Sequence, residues 1–217
     1  MDCKSFEGEG MKKAIITGGS CYHEGLFSAV NGKFALLFDE KIYLPKLHQT
    51  DLSGFDCVVI ASRLNLEFLM QNAQKFEDYL SNGGNIVSFG EVLEPYLPFV
   101  CFSESEVNFW WWIHEGADLP LYAFDESNEI WNFLSLQECK WHYHGVYDVD
   151  EGCERILVDE IGRNIMYKDS CHFKGTMYIT SLDPDFHIGQ GFMPTTIPFL
   201  EKFMRWVEAD IRKERPC

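Results

Sequence analysis

The chain has 217 residues, 46% hydrophobic and 15% aromatic, which suits one folded α/β domain with a substantial core and excludes a disordered chain. Lys and Arg number 18 against 34 Asp and Glu, a formal net charge of −16 that repels phosphate backbones and anionic headgroups and argues against nucleic-acid or membrane partners. The 8 cysteines include no Cys-x-x-Cys pair and read as free thiols of a reducing compartment. No run approaches the ~18 apolar residues of a membrane span, and the polar start Met1–Gly10 lacks the apolar stretch of a signal peptide, so the expected location is the cytoplasm.

Residues 1–10 read as a flexible tail and 11–217 as a single domain, with Met11 an alternative start. Ala14-Ile15-Ile16-Thr17 is a first buried strand stopped by Gly18-Gly19-Ser20. A short helix over 24–31 ends at Gly32, and 34–38 reads as the second strand. The third, 55–60, is apolar throughout, as a strand covered on both faces should be. Residues 66–81 place Phe68, Leu69, Phe76, Tyr79 and Leu80 on one helical face and stop at Asn82-Gly83-Gly84. A fourth strand, 86–89, runs into a turn at Gly90 and a further helix. The stretch 98–150 is less regular, with an aromatic run at 109–113, a helix near 126–135 and Trp141-His142-Tyr143-His144. Strands 155–158 and 164–167 flank a hairpin-like turn at 159–162. A last strand, 176–180, a polar loop, 183–191, and a closing helix, 195–213, complete the chain. Alternation of strand and helix implies parallel pairing. The expected fold is α/β: a flavodoxin-like, doubly wound, mainly parallel sheet with helices on both faces and a small β-rich insertion.

In such a sheet ligands bind outside the carboxyl ends of the strands, where four loops should meet: 18–25, 62–65, 90–94 and 183–191. In the first, Gly19 lets backbone approach a ligand and His23 is a candidate acid, base or ligand; the plainer reading is a tight turn. It is neither a dinucleotide fingerprint nor a P-loop. Glu91 is a candidate general base if desolvation raises its pKa, or simply a polar strand end. Asp183, Asp185 and His187 form the densest polar cluster and offer hard oxygen and imidazole ligands, although Asp-Pro-Asp is also ordinary turn chemistry. His142 and His144, two apart on an extended segment, share a side and can share a metal. If that segment reaches the late loop, His142, His144, Asp183 and His187 are candidate ligands of one divalent metal. An alternating strand through 109–113 places Trp110 and Trp112 opposite Trp111, one face in the core and the other a subunit contact or a carbohydrate platform. Cys21 and Cys101 read as small hydrophobes rather than nucleophiles.

The strand-and-turn Asn85-Ile-Val-Ser-Phe-Gly90-Glu91-Val92 and the later Met177-Tyr-Ile-Thr-Ser-Leu-Asp183-Pro184-Asp185 together resemble the class I glutamine amidotransferase-like superfamily. That family has a Gly-x-Cys elbow and a late strand ending in His-Pro-Glu. Here Val92 stands at the Cys position, and Asp183 and Asp185 stand where the His and Glu would be. The order of strand, loop, helix, Asn-Gly-Gly and strand resembles the trehalose-utilisation-type and β-galactosidase-trimerisation-type branches, which often lack the triad. The resemblance implies the fold and argues against the family's chemistry. It leaves two readings. One is a catalytically degenerate domain, expected to be a homo-oligomer, that binds a small polar, carbohydrate-related ligand or a protein partner. The other is a metal-assisted hydrolase using Asp183, His187 and one of His142, His144 or His23. An active amidotransferase would need Cys21 or Cys101 to take over.

Overall fold

Short runs of branched apolar residues become the strands of one sheet in a computed structural model that describes residues 10–106 and 110–214. Apart from Gly10, the expected N-terminal tail lies outside the described residues, as does Phe109. The strands are β1 Lys13–Thr17, β2 Glu40–Tyr43, β3 Cys57–Ile60, β4 Asn85–Phe89, β5 Cys101–Glu104, β6 Leu121–Ala123, β7 Gly145–Asp148, β8 Glu154–Asp159, β9 Asn164–Asp169 and β10 Met177–Thr180. The helices are α1 Cys21–Gly32, α2 Leu66–Gln71, α3 Ala73–Ser81, α4 Leu136–Cys139, α5 Pro184–Gln190 and α6 Thr196–Glu214. Strand order is β2-β1-β3-β4-β10-β9-β7-β5, with β8 also on β9 and β6 on β8. The first five run parallel, in the flavodoxin-like order, and the remaining pairings are antiparallel.

Alternation along the strands divides the core in two. Ile15, Val59, Val87 and Tyr178 face a layer built on α1 and α6, with Leu26, Phe199, Phe203 and Val207 buried there. Ile16, Val58, Ile60 and Ile86 face the other way, onto Leu69, Phe76 and Leu80 of α2 and α3. Two buried layers on one parallel sheet are what make its strands read as continuously apolar.

Several elements differ from expectation. Residues Lys33–Leu37 form a 3₁₀ turn in which only Phe34 is buried, and the second strand follows at β2. An apolar run of five residues does not by its pattern distinguish strand from helical turn. The helix over 66–81 is divided at Asn72, whose side-chain amide donates to the Phe68 carbonyl at 2.8 Å and competes with the backbone ladder. No helix follows the Gly90 turn; Pro95 and Pro98 disfavour helical conformation in the residues before them, and Tyr96 and Leu97 are buried in an irregular segment instead. The helix near 126–135 is a 3₁₀ turn, Glu129–Asn132, and α4 begins separately beyond it with a Ser135–Glu138 capping box. The loop expected over 183–191 is the helix α5, with Pro184 at its first turn. The aromatic run is no strand: Trp111–Ile113 is a 3₁₀ turn.

Candidate metal centre at the carboxyl edge

Three connections bring the site together. Gly90 holds the turn after β4 at φ 79°, and a Cβ there would lie 2.9 Å from the Ser62 Cβ, so the turns after β3 and β4 touch only because this residue is glycine. Helices α1 and α5 are in backbone contact: a Cβ on Gly25 would stand 2.2 Å from the Gly189 carbonyl oxygen. That contact fixes α5, and its N-cap residue Asp183 stands on the same side as His187, at i, i+4. The segment before β7 is tied to the end of β10, because Ser181 Oγ donates to the Gly145 carbonyl at 2.7 Å.

His142, His144 and His187 thereby converge on Asp183. Nε2 of His142 is 3.0 Å from Nε2 of His144 and 3.1 Å from Nε2 of His187. Asp183 Oδ2 is 2.9 Å from His144 Nε2, and Oδ1 is 3.1 Å from His187 Nε2 and 3.4 Å from His142 Nε2. All four residues are buried or nearly so. Asp183 is the residue before the first turn of α5, yet its carboxylate caps nothing and points into the imidazoles. Its Oδ1 has no hydrogen-bond donor among the described residues. Burial would raise the Asp183 pKa, but the surrounding imidazoles hold the carboxyl well below the usual range.

This donor set suits a divalent cation. Ligand atoms on a tetrahedral zinc with ~2.0–2.1 Å bonds stand about 3.4 Å apart, close to the separations just given, and an ion would satisfy the orphaned Oδ1. His142, His144 and Asp183 offer atoms all within 4.8 Å of one another. His144 Nδ1 is 2.9 Å from Glu91 Oε1, the outer carboxylate that orients a ligating imidazole. Burial lowers the His144 pKa, but Asp183 and Glu91 outweigh it and raise it to about 9. His142, mainly desolvated, is shifted down.

Other candidates fall elsewhere. Glu91 is no raised-pKa base: burial pushes its carboxyl up, but His144 more than reverses this, and the net shift is downward. His23 is buried outside the cluster with both ring nitrogens engaged. Its Nε2 donates to the Ser62 carbonyl at 3.0 Å, so Nδ1 accepts from Gly18 N–H and Ser20 Oγ–H. Gly19 faces the Tyr43 ring. Asp185 turns away and accepts from Ser62 N–H and Oγ–H at 2.9 and 3.0 Å. Burial, reinforced by Asp183, pushes its pKa up to about 7. Trp111 packs against the core and donates from Nε1 to the Trp141 carbonyl at 2.9 Å, while Trp110 and Trp112 are exposed with rings 6.0 Å apart.

One participant has no counterpart among the sequence candidates. Arg63 Nη2 lies 3.1 Å from Asp183 Oδ2, and its guanidinium stacks 3.9 Å above the Phe186 ring. Its backbone sits at φ 56°, a costly conformation held by these contacts. The sequence signal was a lone arginine in the loop after β3. Arg63, the three histidines and Trp110–Trp112 line a cavity of about 880 Å³ whose other walls include Phe186, Phe192 and Met193.

No protein-family model and no curated protein matches the sequence. Solved structures share the fold. A cytoplasmic protein of Salmonella typhimurium aligns over 90% of this chain and 98% of its own, at 12% identity and a TM-score of 0.57. A second, from strain LT2, covers 95% and 100% at 14% identity, also at 0.57. A glutamine amidotransferase from Thermotoga maritima covers 94% and 91% at 13% identity and 0.52. At such identities the likeness is one of fold: this chain has the α/β fold of a glutamine amidotransferase, with a buried Val92 after the Gly90 turn. No helix among the described residues is long and apolar enough to cross a membrane.

Proposed function

We propose that this chain is a metal-dependent hydrolase whose ion is held by His142, His144 and Asp183, leaving a coordination position open, with His187 beside them to move protons. The observation that carries the reading is the convergence of three imidazole Nε2 atoms and a buried carboxylate at the wall of a large aromatic cavity. When bound, a divalent ion supplies Lewis acidity and an activated water. The protein's part is electrostatic and positional. Glu91 holds the His144 ring through Nδ1 and so would present Nε2 to a bound ion. Arg63, on the cavity wall beside Asp183, is placed to stabilise negative charge developing on a substrate oxygen. Trp110 and Trp112 offer ring faces on which a flat or sugar-like substrate group can lie.

The test pairs metal analysis of the untagged chain with hydrolysis of para-nitrophenyl esters, phosphates and glycosides. Metal-dependent turnover that vanishes in His187→Ala, with the fold intact by circular dichroism, is the expected result. Turnover unchanged in that variant would remove His187 from the mechanism. A second reading is a metal-free domain that binds a small ligand or a protein, including a second copy of itself. The exposed Trp110 and Trp112 favour it. Metal-free protein that oligomerises normally as wild type but not as Trp112→Ala would select that reading.

A further inference from the structure

A second set of donors gathers at the opposite edge of the sheet. Strands β8 and β9 pair antiparallel with Glu154 opposite Lys168, so the open end of this hairpin lays Cys153 beside Asp169 and the turn that follows it. Asp169 lies opposite Met177, the first residue of β10, which puts this group at the amino edge of the parallel strands, away from Asp183.

Cys153 Sγ is 3.7 Å from Cys171 Sγ. Cys171 Sγ is 3.4 Å from His172 Nδ1 and 3.3 Å from Asp169 Oδ1. Asp169 Oδ2 is 2.7 Å from His172 Nδ1. Donor atoms of the four residues all lie within 4.8 Å of one another. Tetrahedral zinc, with Zn–S of ~2.3 Å and Zn–N of ~2.0–2.1 Å, spaces its ligand atoms about 3.4–3.8 Å apart. The sulfur contacts fall in or near that range, and the Asp169–His172 contact needs to open slightly. The outer shell is also present. His172 Nε2 is 3.1 Å from Asp150 Oδ2, leaving Nδ1 for the ion, and the ring stacks on Phe99 at 4.1 Å and 7°.

We propose that Cys153, Cys171, His172 and Asp169 form a structural zinc site that clamps the open end of the β8–β9 hairpin to the turn before β10. Four protein donors leave no open coordination position, the mark of a structural rather than catalytic zinc. Binding breaks two S–H bonds, forms two Zn–S bonds and releases two protons to solvent, with no change in oxidation state.

Cobalt(II) titration of the reduced, full-length chain tests this independently of the carboxyl-edge site, which has no sulfur donor and gives no thiolate-to-cobalt charge-transfer band. One equivalent of that band, displaced by zinc and lost in Cys171→Ser, is expected. Asp150→Asn should keep the band while weakening zinc binding about 10–100-fold; this variant decides the matter if Cys171→Ser does not fold. No thiolate band in reduced wild type, a band of full strength in folded Cys171→Ser, or unaltered zinc affinity in Asp150→Asn would overturn the proposal. So would a thiol count showing Cys153 and Cys171 joined as a disulfide in protein kept under reductant.

Discussion

The two edges of the sheet gather ligand-type side chains in different ways. At the carboxyl edge three donors, His142, His144 and Asp183, stand with His187 at the segment before β7 and the start of α5, are buried or nearly so, bear imidazole and carboxylate only, and adjoin a cavity of about 880 Å³. At the amino edge four donors come from one hairpin end and the turn beyond it, include two thiols, and lie nearer the surface, with Asp169 alone buried. A catalytic metal needs an open position and a chamber, whereas a structural one needs a closed shell and a loop to clamp. The difference between the edges follows that division.

The largest effect should separate the edges by stability. Asp183→Ala removes the carboxylate shared by Arg63 and three imidazoles, and leaves buried charge unpaired; it should cost about 3–5 kcal/mol in chemical denaturation. Loss of less than about 1 kcal/mol would show that the cluster is not held by this charge. Next comes pH. In metal-free protein the His144 pKa of about 9 lies above the ~6.5 of an unfolded imidazole, so its proton stabilises the fold fully below pH ~6.5. That contribution, roughly 3 kcal/mol, is lost as pH rises through about 9. A zinc-loaded protein should lose less over the same window, because the ion takes the place of the proton; urea unfolding at both ends of the window, with and without zinc, checks this. Chelation should cost about 2.7 kcal/mol for each site whose free metal stood at ~100 times its Kd, and Cys171→Ser should retain the loss that belongs to the carboxyl edge. The smallest effects concern the tryptophans. Trp111→Ala should destabilise by about 2 kcal/mol through lost packing, whereas exposed Trp112→Ala should stay within about 0.5 kcal/mol and weaken only ligand or partner binding.

Much of the scaffold could be read from the chain. Strands such as Ala14–Thr17 and Ile86–Phe89 are buried on both faces and therefore announce themselves as apolar runs, and Gly90 marks its own turn. The pairing of His142 with His144 was legible, since two residues apart on extended backbone share a side. That they meet Asp183 and His187 was only a conditional expectation, because it depends on a tertiary contact between the Gly145 and Ser181 segments. The α5 helix was hidden by its polar start: Asp-Pro-Asp fits a turn and a helix entrance equally well. Phe34–Phe38 misled because edge strand β2 buries only Ile42, so the less apolar segment was the strand. The Cys153, Cys171 and His172 group was invisible because its 18-residue spacing acquires meaning only through the β8–β9 register.

The most direct test is elemental mass spectrometry of the untagged chain, alongside Asp183→Ala and Cys171→Ser. The account predicts two equivalents of divalent metal, one lost in Asp183→Ala but kept in Cys171→Ser, and the other lost in Cys171→Ser. Wild-type protein that stays metal-free after zinc loading and desalting, or metal content indifferent to Asp183, would contradict it.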